Sequence, residues 1–391
     1  MKKTSHFSVS FLNPETGQHG GINELRIRFS AGGYERLIHF ESTSAKLIAS
    51  GDALLCLGLV PAMELGLDLE INAHVDEDLL ANADQIQSLL CSWYPGYRPI
   101  SIRAGVTKRK YPERRGTGLF YSGGVDSSYS LASAHDRLTG LVTIIGADVD
   151  PLDTRRVERL EAIASNVAGQ FGLKQIFVRT DIRKVSDRMI GWVEYHGAVL
   201  AAVRHMLANE FENQLIASSA DEASWTRRWG SHPGLDRLWG TAGARIEHHG
   251  LEHRLAKIER ISREPILMQQ LRVCNRSFDH CGVCHSCQFM LAALDILGIR
   301  DKAPTYSHLK MGRYRLRVTG EGSLSDLTKM RLAAIAGGRQ EELVNAIDDA
   351  LRRYSTKKRF QHFVPVDEIA RRYKRLKRQI RFRRQMNQSI E

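Results

Sequence analysis

Between residues 118 and 217 short apolar strands alternate with amphipathic helices, and few folds accept that order. Strands are expected over 119–121, 141–147, 175–178 and 214–217, with helices to about 137, over 154–171 and near 194–211. Strands separated in this way need right-handed crossovers, which give a parallel sheet covered by helices on both faces. The expected class is α/β. Ligands of such sheets gather beyond the C-terminal ends of the strands. Those ends read Ser122-Gly123-Gly124, Gly146-Ala147-Asp148, Arg179-Thr180-Asp181 and Ser218-Ser219-Ala220-Asp221.

The first of these ends sits in the stretch Gly118-Leu119-Phe120-Tyr121-Ser122-Gly123-Gly124-Val125-Asp126-Ser127-Ser128. A strand that passes into a helix through glycines points several backbone N–H groups at one spot, beside the positive end of the helix dipole. Gly123 and Gly124 allow a close backbone approach, and Ser122, Ser127 and Ser128 add hydroxyls. The natural guest is a polyphosphate; the competing reading is a tight turn with no ligand. The stretch resembles the Ser-Gly-Gly-x-Asp-Ser loop of the N-type ATP pyrophosphatases, the PP-loop family, and lacks the Gly-Lys-Ser/Thr of a Walker loop. The resemblance implies an adenine nucleotide alpha hydrolase-like fold that splits ATP between its α and β phosphates. It assigns Ser122, Gly123, Gly124, Val125, Asp126, Ser127 and Ser128 to ATP and Mg2+. Ala147 and Asp148, after the second strand, become candidates for adenine and ribose; helix capping is the competing role for Asp148.

Four of the six cysteines fall within Cys274-x6-Cys281-Gly-Val-Cys284-x2-Cys287. Clustering of this kind in a chain of the cytosol argues for a metal over disulfides. Four soft ligands suit tetrahedral Zn2+ and leave no open position for catalysis, so a structural knuckle is expected; an iron–sulfur cluster is the competing reading. His280 and His285 are expected to be bystanders. Cys56 and Cys91 have apolar neighbours and read as small core residues.

The loop, a later helix carrying Lys257 and the cysteine cluster together resemble 7-cyano-7-deazaguanine synthase over about 118–300. That resemblance implies adenylation of the carboxylate of 7-carboxy-7-deazaguanine and its transfer to nitrogen, with Asp126 and Lys257 in catalytic roles. The chain departs from the family where Tyr-Pro-Asp-Cys-Arg is expected and Gly230-Ser231-His232-Pro233-Gly234-Leu235-Asp236 stands instead. The irregular segment 219–250 holds Trp225, Trp229 and Trp239 among Arg, His and Asp, and reads as a loop for the second substrate, with Asp221, Trp229, His232 and Asp236 as candidate contacts. A structural flap is the competing reading. Synthase-like relatives in defence or specialised-metabolite gene clusters imply other acceptors, including an amine on a protein. A tRNA-thiolating enzyme is a further alternative, although no cysteine pair outside the cluster suits that chemistry. A non-enzymatic ATP-sensing scaffold is the third.

Composition divides the chain into an N-terminal α/β domain over 1–112, a pyrophosphatase domain with its zinc knuckle over 113–305, and a basic helical extension over 306–391. In the first, strands are expected at 7–12, 24–29, 37–40, 69–75 and 99–106, with a helix capped by Asp76. The polar run 107–115 reads as the linker. The formal charge is +12, of which residues 351–391 carry +11 (14 Lys/Arg less Asp367, Glu368 and Glu391). The last helix, starting at Pro365, aligns Val366, Ile369, Tyr373, Leu376 and Ile380 as a narrow apolar seam among arginines, expected to dock on the protein itself or on a partner. Charge without a reading motif is weak support for nucleic acid. No apolar run is long enough for a bilayer, and residues 1–6 lead into a strand with no signal-peptide pattern, so a cytoplasmic protein with no membrane partner is expected.

Overall fold

The computed structural model describes residues 6–12, 17–19, 22–113, 115–274, 276–309, 314–339, 341–363 and 366–387. Residues 1–5, Arg114 of the expected linker, Pro365 at the expected helix start and Glu391 lie outside the described residues. Strands β1 (Phe7–Phe11), β2 (Gly17–His19), β3 (Ile22–Ala31) and β4 (Tyr34–Ser42) precede helix α1 (Gly51–Leu65). Then come β5 (Leu69–Asp76), α2 (Glu77–Trp93) and β6 (Ile102–Thr107). The alternating middle of the chain is β7 (Gly116–Phe120), α3 (Val125–Ala134), β8 (Gly140–Ile145), α4 (Thr154–Gln170), β9 (Lys174–Thr180), α5 (Ile182–Ser186), α6 (Trp192–Met206) and β10 (Phe211–Ala217). It is followed by α7 (Pro233–Asp236), β11 (Arg245–His249), α8 (Arg254–Ile261), α9 (Pro265–Gln269) and α10 (His285–Leu297). The remaining helices are α11 (Glu321–Ala336), α12 (Glu341–Phe363) and α13 (Val366–Asn387).

The class is α/β, with a mostly parallel sheet flanked by helices. Ten strands run in the order β11-β10-β7-β8-β9-β4-β3-β1-β5-β6, and β2 pairs with β3. Five adjacent strands, β11 through β9, are parallel. The sheet does not stop at the boundary read after residue 112. β4 joins β9 antiparallel through Phe40↔Thr180 and Glu41↔Arg179.

Side chains along the central strands alternate between two cores, as a sheet covered on both faces requires. Leu119, Tyr121, Leu141 and Leu215 face the core built by α3, α8, α10, α11 and α12. Phe120, Val142, Ile176 and Ile216 face the core shared by α1, α2 and α6. The C-terminal extension therefore contributes to the central core through Leu327, Met330, Leu343 and Ile347, all buried. α1 is buried over its whole length, Cys56 included, and the Tyr195 hydroxyl on α6 donates to its Leu57 carbonyl at 2.7 Å. Asp76 caps α2 as expected, accepting from the Asp78 amide at 3.0 Å.

The segment between β6 and β7 is tied down at several points. Its Arg109 guanidinium donates to the buried Asp52 at 3.1 Å. Arg115 donates to the carbonyls of Ala208, Phe211 and Gly243. Segment 219–250, irregular in sequence, contributes α7, two single 3-10 turns and the edge strand β11.

Candidate functional site

At the C-terminal end of β7 the chain turns through Tyr121-Ser122-Gly123-Gly124 into α3. Gly123 has φ 73°, a left-handed conformation that favours glycine. The turn braces itself: the Ser122 amide donates to Ser127 Oγ at 3.3 Å, and Ser127 Oγ donates to the Gly124 carbonyl at 3.2 Å. The Gly123 carbonyl accepts from the Arg272 amide at 2.8 Å. No acceptor among the described residues takes the amides of Gly123, Gly124, Val125, Asp126 or Ser127. Five donors therefore stand at a helix N-terminus without an acceptor among the described residues, the arrangement an anion site requires.

Asp126, in the first turn of α3, lies between two cations. Lys257 Nζ is 3.0 Å from Oδ1 and Arg254 Nη2 is 3.0 Å from Oδ2. Burial pushes the Asp126 carboxyl up, but Arg254 and Lys257 together outweigh it and hold the group below the ordinary aspartate value. The Lys257 side chain is 1% exposed, and its ammonium also donates to the Ser218 carbonyl at 2.5 Å. A single lysine of α8 thus joins the ends of β7 and β10. Arg254 is held in turn by its amide, which donates to the buried Asp326 of α11 at 2.7 Å.

Next to the turn is a cavity of about 240 Å3 lined by Tyr121, Ser122, Asp126, Ser127, Ala147, Asp148 and Arg272, among others. Ser122, Asp126, Ser127, Ala147 and Asp148, singled out from sequence, thus share one pocket with the ends of β7 and β8. Gly123, Gly124 and Val125 form its turn; Ser128 is buried beneath, 3.5 Å from the Tyr121 hydroxyl. The cap of α4 is Asp153, which accepts from the Arg156 amide at 3.2 Å, so Asp148 is left to the pocket. Arg254 and Arg272 went unmarked in the sequence. The only signal for Arg272 is its position two residues before the first cysteine of the cluster.

The four residues read as contacts for a second substrate lie elsewhere and are engaged by the protein. Asp221 accepts from the hydroxyls of Ser224 and, at 2.5 Å, Ser325. Burial works against its ionisation, yet those two hydroxyls hold its carboxyl below the ordinary value. Asp236 is fully buried, accepting from Ser231 Oγ at 2.8 Å and contacting His248 Nδ1 at 2.7 Å. Both ring nitrogens of His232 are occupied, one by the Gly234 amide at 2.9 Å and the other by the Trp225 carbonyl at 3.1 Å. Trp229 borders a separate cavity with Tyr94, Tyr97, Trp192 and residues of α13. Arg227 lies 4.8 Å from the ring centres of both Trp225 and Trp229. Trp239 is 1% exposed and fills core.

The sulfurs of Cys274, Cys281, Cys284 and Cys287 lie within 4.8 Å of one another. A tetrahedral site with metal–sulfur bonds near 2.3 Å sets its sulfurs about 3.8 Å apart, so a small contraction closes the group on an ion. The Cys284 amide donates to Cys281 Sγ and the Cys287 amide to Cys284 Sγ, as in a knuckle, with Gly282 at φ 70° making the turn. The donor set fits a metal of the zinc type. Cys284 also caps α10, which anchors that helix directly to the cluster. His280 stacks on Tyr306 at 4.0 Å and His285 points toward Phe289; neither belongs to the group.

Neither a scan of protein-family models nor a search of curated proteins returns a match for this chain. No helix among the described residues is long and apolar enough to cross a membrane.

Proposed function

We propose that the protein is an adenylating, AMP-forming carbon–nitrogen ligase of the PP-loop type, with the adenine nucleotide alpha hydrolase-like fold and a structural zinc, working in the cytoplasm. Its substrates would be ATP and an acid such as 7-carboxy-7-deazaguanine. The observation that carries the reading is the set of amides from Gly123 to Ser127 that no described residue accepts, placed beside a carboxylate that two cations keep ionised.

In this reading the amides and Lys257 hold the β and γ phosphates, and Ala147 and Asp148 border the nucleoside. Arg272 adds positive charge on the far side of the turn. Mg2+, held by Asp126, would supply charge neutralisation for the pyrophosphate leaving group. An oxygen of the substrate carboxylate attacks the α phosphorus, and the bond from that phosphorus to the bridging oxygen breaks. Pyrophosphate departs with the electron pair. An amine nitrogen then attacks the acyl carbon, AMP leaves, and the nitrogen gives its proton to water. Zinc takes no part beyond fixing α10 and the chain before it. Cation stabilisation of the departing pyrophosphate is the main lever available to such a site.

Incubation with ATP, Mg2+, ammonium and 7-carboxy-7-deazaguanine, followed by mass spectrometry, tests the reading: AMP and an amide or nitrile product are expected. The same acid yielding AMP only when a protein or another amine is supplied would identify a conjugating enzyme. AMP release that requires bulk tRNA and ignores the acid would move the assignment to thiolation, for which the basic tail is the supporting observation. Cys56 is fully buried, which leaves that alternative without an accessible nucleophile pair.

A further inference from the structure

α13 docks on the protein with the face opposite to its apolar seam. Arg375 and Arg378 reach Glu64 at the end of α1, with Nη2 of Arg378 2.8 Å from Oε1. Gln379 donates to the Glu64 carbonyl at 2.7 Å. Phe382 packs against Tyr34 with ring centres 4.6 Å apart and planes tilted by 52°, and the Met386 carbonyl accepts from the Gly33 amide at 3.0 Å. Positions 375, 378, 379, 382 and 386 make one helical face, and it is satisfied. The seam Ile369, Tyr373, Leu376 and Ile380 is left 44–66% exposed, four large apolar side chains at spacings of 4, 3 and 4. That spacing is the repeat of a helix meant to be covered by another helix.

We propose that this seam receives an acidic amphipathic helix of a partner protein. With Tyr373 and Ile380 at a positions and Ile369 and Leu376 at d, the flanks that choose a coiled-coil partner include Arg372 and Lys377, with Arg384 one heptad beyond Lys377. Lys377, Arg381 and Arg384 make no ion pair among the described residues. Nine Lys/Arg against Asp367 and Glu368 give α13 a net charge of +7, so pairing with a second copy would oppose +7 to +7. Nucleic acid would engage the arginines yet leave the apolar seam uncovered. A helix with Leu or Ile along one stripe and Glu on its flanks satisfies both features at once.

The test uses the full chain and a fluorescein-labelled synthetic helix of four heptads with Leu and Ile at a and d and Glu at e and g. Anisotropy should report saturable binding that weakens as salt rises. Leu376→Asp together with Ile380→Asp should lower affinity at least tenfold. Their side chains are exposed in the free chain, so the melting temperature and AMP formation should not change. A peptide with Lys in place of Glu should bind at least tenfold more weakly. Several results would overturn the proposal: equal binding of the Glu and Lys peptides, binding indifferent to the double substitution, or no binding at all. So would duplex DNA that displaces the peptide from wild type and binds the variant equally, or light scattering that finds a dimer which the variant dissolves.

Discussion

Asp126 is ionised because Arg254 and Lys257 flank it, and its removal takes from both cations the carboxylate they share. Asp126→Ala should abolish AMP formation while the zinc content, read by elemental analysis, stays unchanged. Normal turnover in that variant would mean that ATP binds elsewhere. A second residue governs stability at mild acidity. His205 is fully buried, with Nε2 2.7 Å from the Trp239 carbonyl; burial lowers its pKa to about 4. The unfolded chain takes up a proton near the ordinary value of about 6.5, and the folded chain does not until about pH 4. The unfolded state therefore binds more protons through that window, and stability falls as the pH drops across it. The expected loss is on the order of 2 kcal/mol. Melting curves between pH 4 and 7 should show it, and His205→Gln, which keeps a donor for the Trp239 carbonyl, should flatten the slope. Asp126 and Lys257 stand out in the sequence because each sits in or just beyond a recognisable pattern, and the structure brings them within 3.0 Å of each other. The internal hydrogen bonds of His232 and Asp236 are not written in the sequence, because a polar residue in an irregular segment looks the same whether it meets a ligand or another part of the protein.

Among the elements, those with a clear period were legible in outline: β7, α3, β8, α4 and β9 lie within a few residues of their expected bounds. α1 escaped because a helix buried on every side carries no 3.6-residue stripe. The join between β4 and β9 escaped for another reason: a strand does not announce which distant edge it will meet. Gly146 shows how closely the chain after β8 approaches the end of β9. It has φ 108°, and a Cβ there would lie 1.8 Å from the Thr180 carbonyl oxygen. Gly146→Ala should destabilise by roughly 2 kcal/mol or more, since both conformation and space oppose it; denaturant melts would measure this. The cysteine cluster offers a parallel measurement. A chelator should release about one zinc per chain, lower the melting temperature and reduce helical circular dichroism as α10 loses its anchor. Unchanged melting after zinc loss would assign the cluster to another task.

At the scale of the molecule, one sheet and two shared cores link segments that composition separates at 112 and 305. Polar content marks 107–115 as a linker, yet Arg109 and Arg115 are committed to partners on either side. Limited proteolysis should therefore leave the segment between β6 and β7 intact, and calorimetry should show one unfolding transition. Two well-separated transitions would mean that the halves fold independently. The same continuity gives weight to Glu64, whose side chain is 2% exposed. Burial raises its pKa, and Arg378 and Arg375 only partly offset this. Replacing both arginines by alanine should cost about 3–5 kcal/mol by leaving a buried charge alone, and adding Glu64→Gln should restore most of it. The nearest of these arginines is 311 residues further along the chain, and Arg378 is 314. A ribosome moving at about 5–20 residues per second needs roughly 15 to 60 s to cover that distance. For that long during translation Glu64 waits for both of these arginines, so a residue among the earliest of the nascent polypeptide to emerge is among the last to reach its finished state.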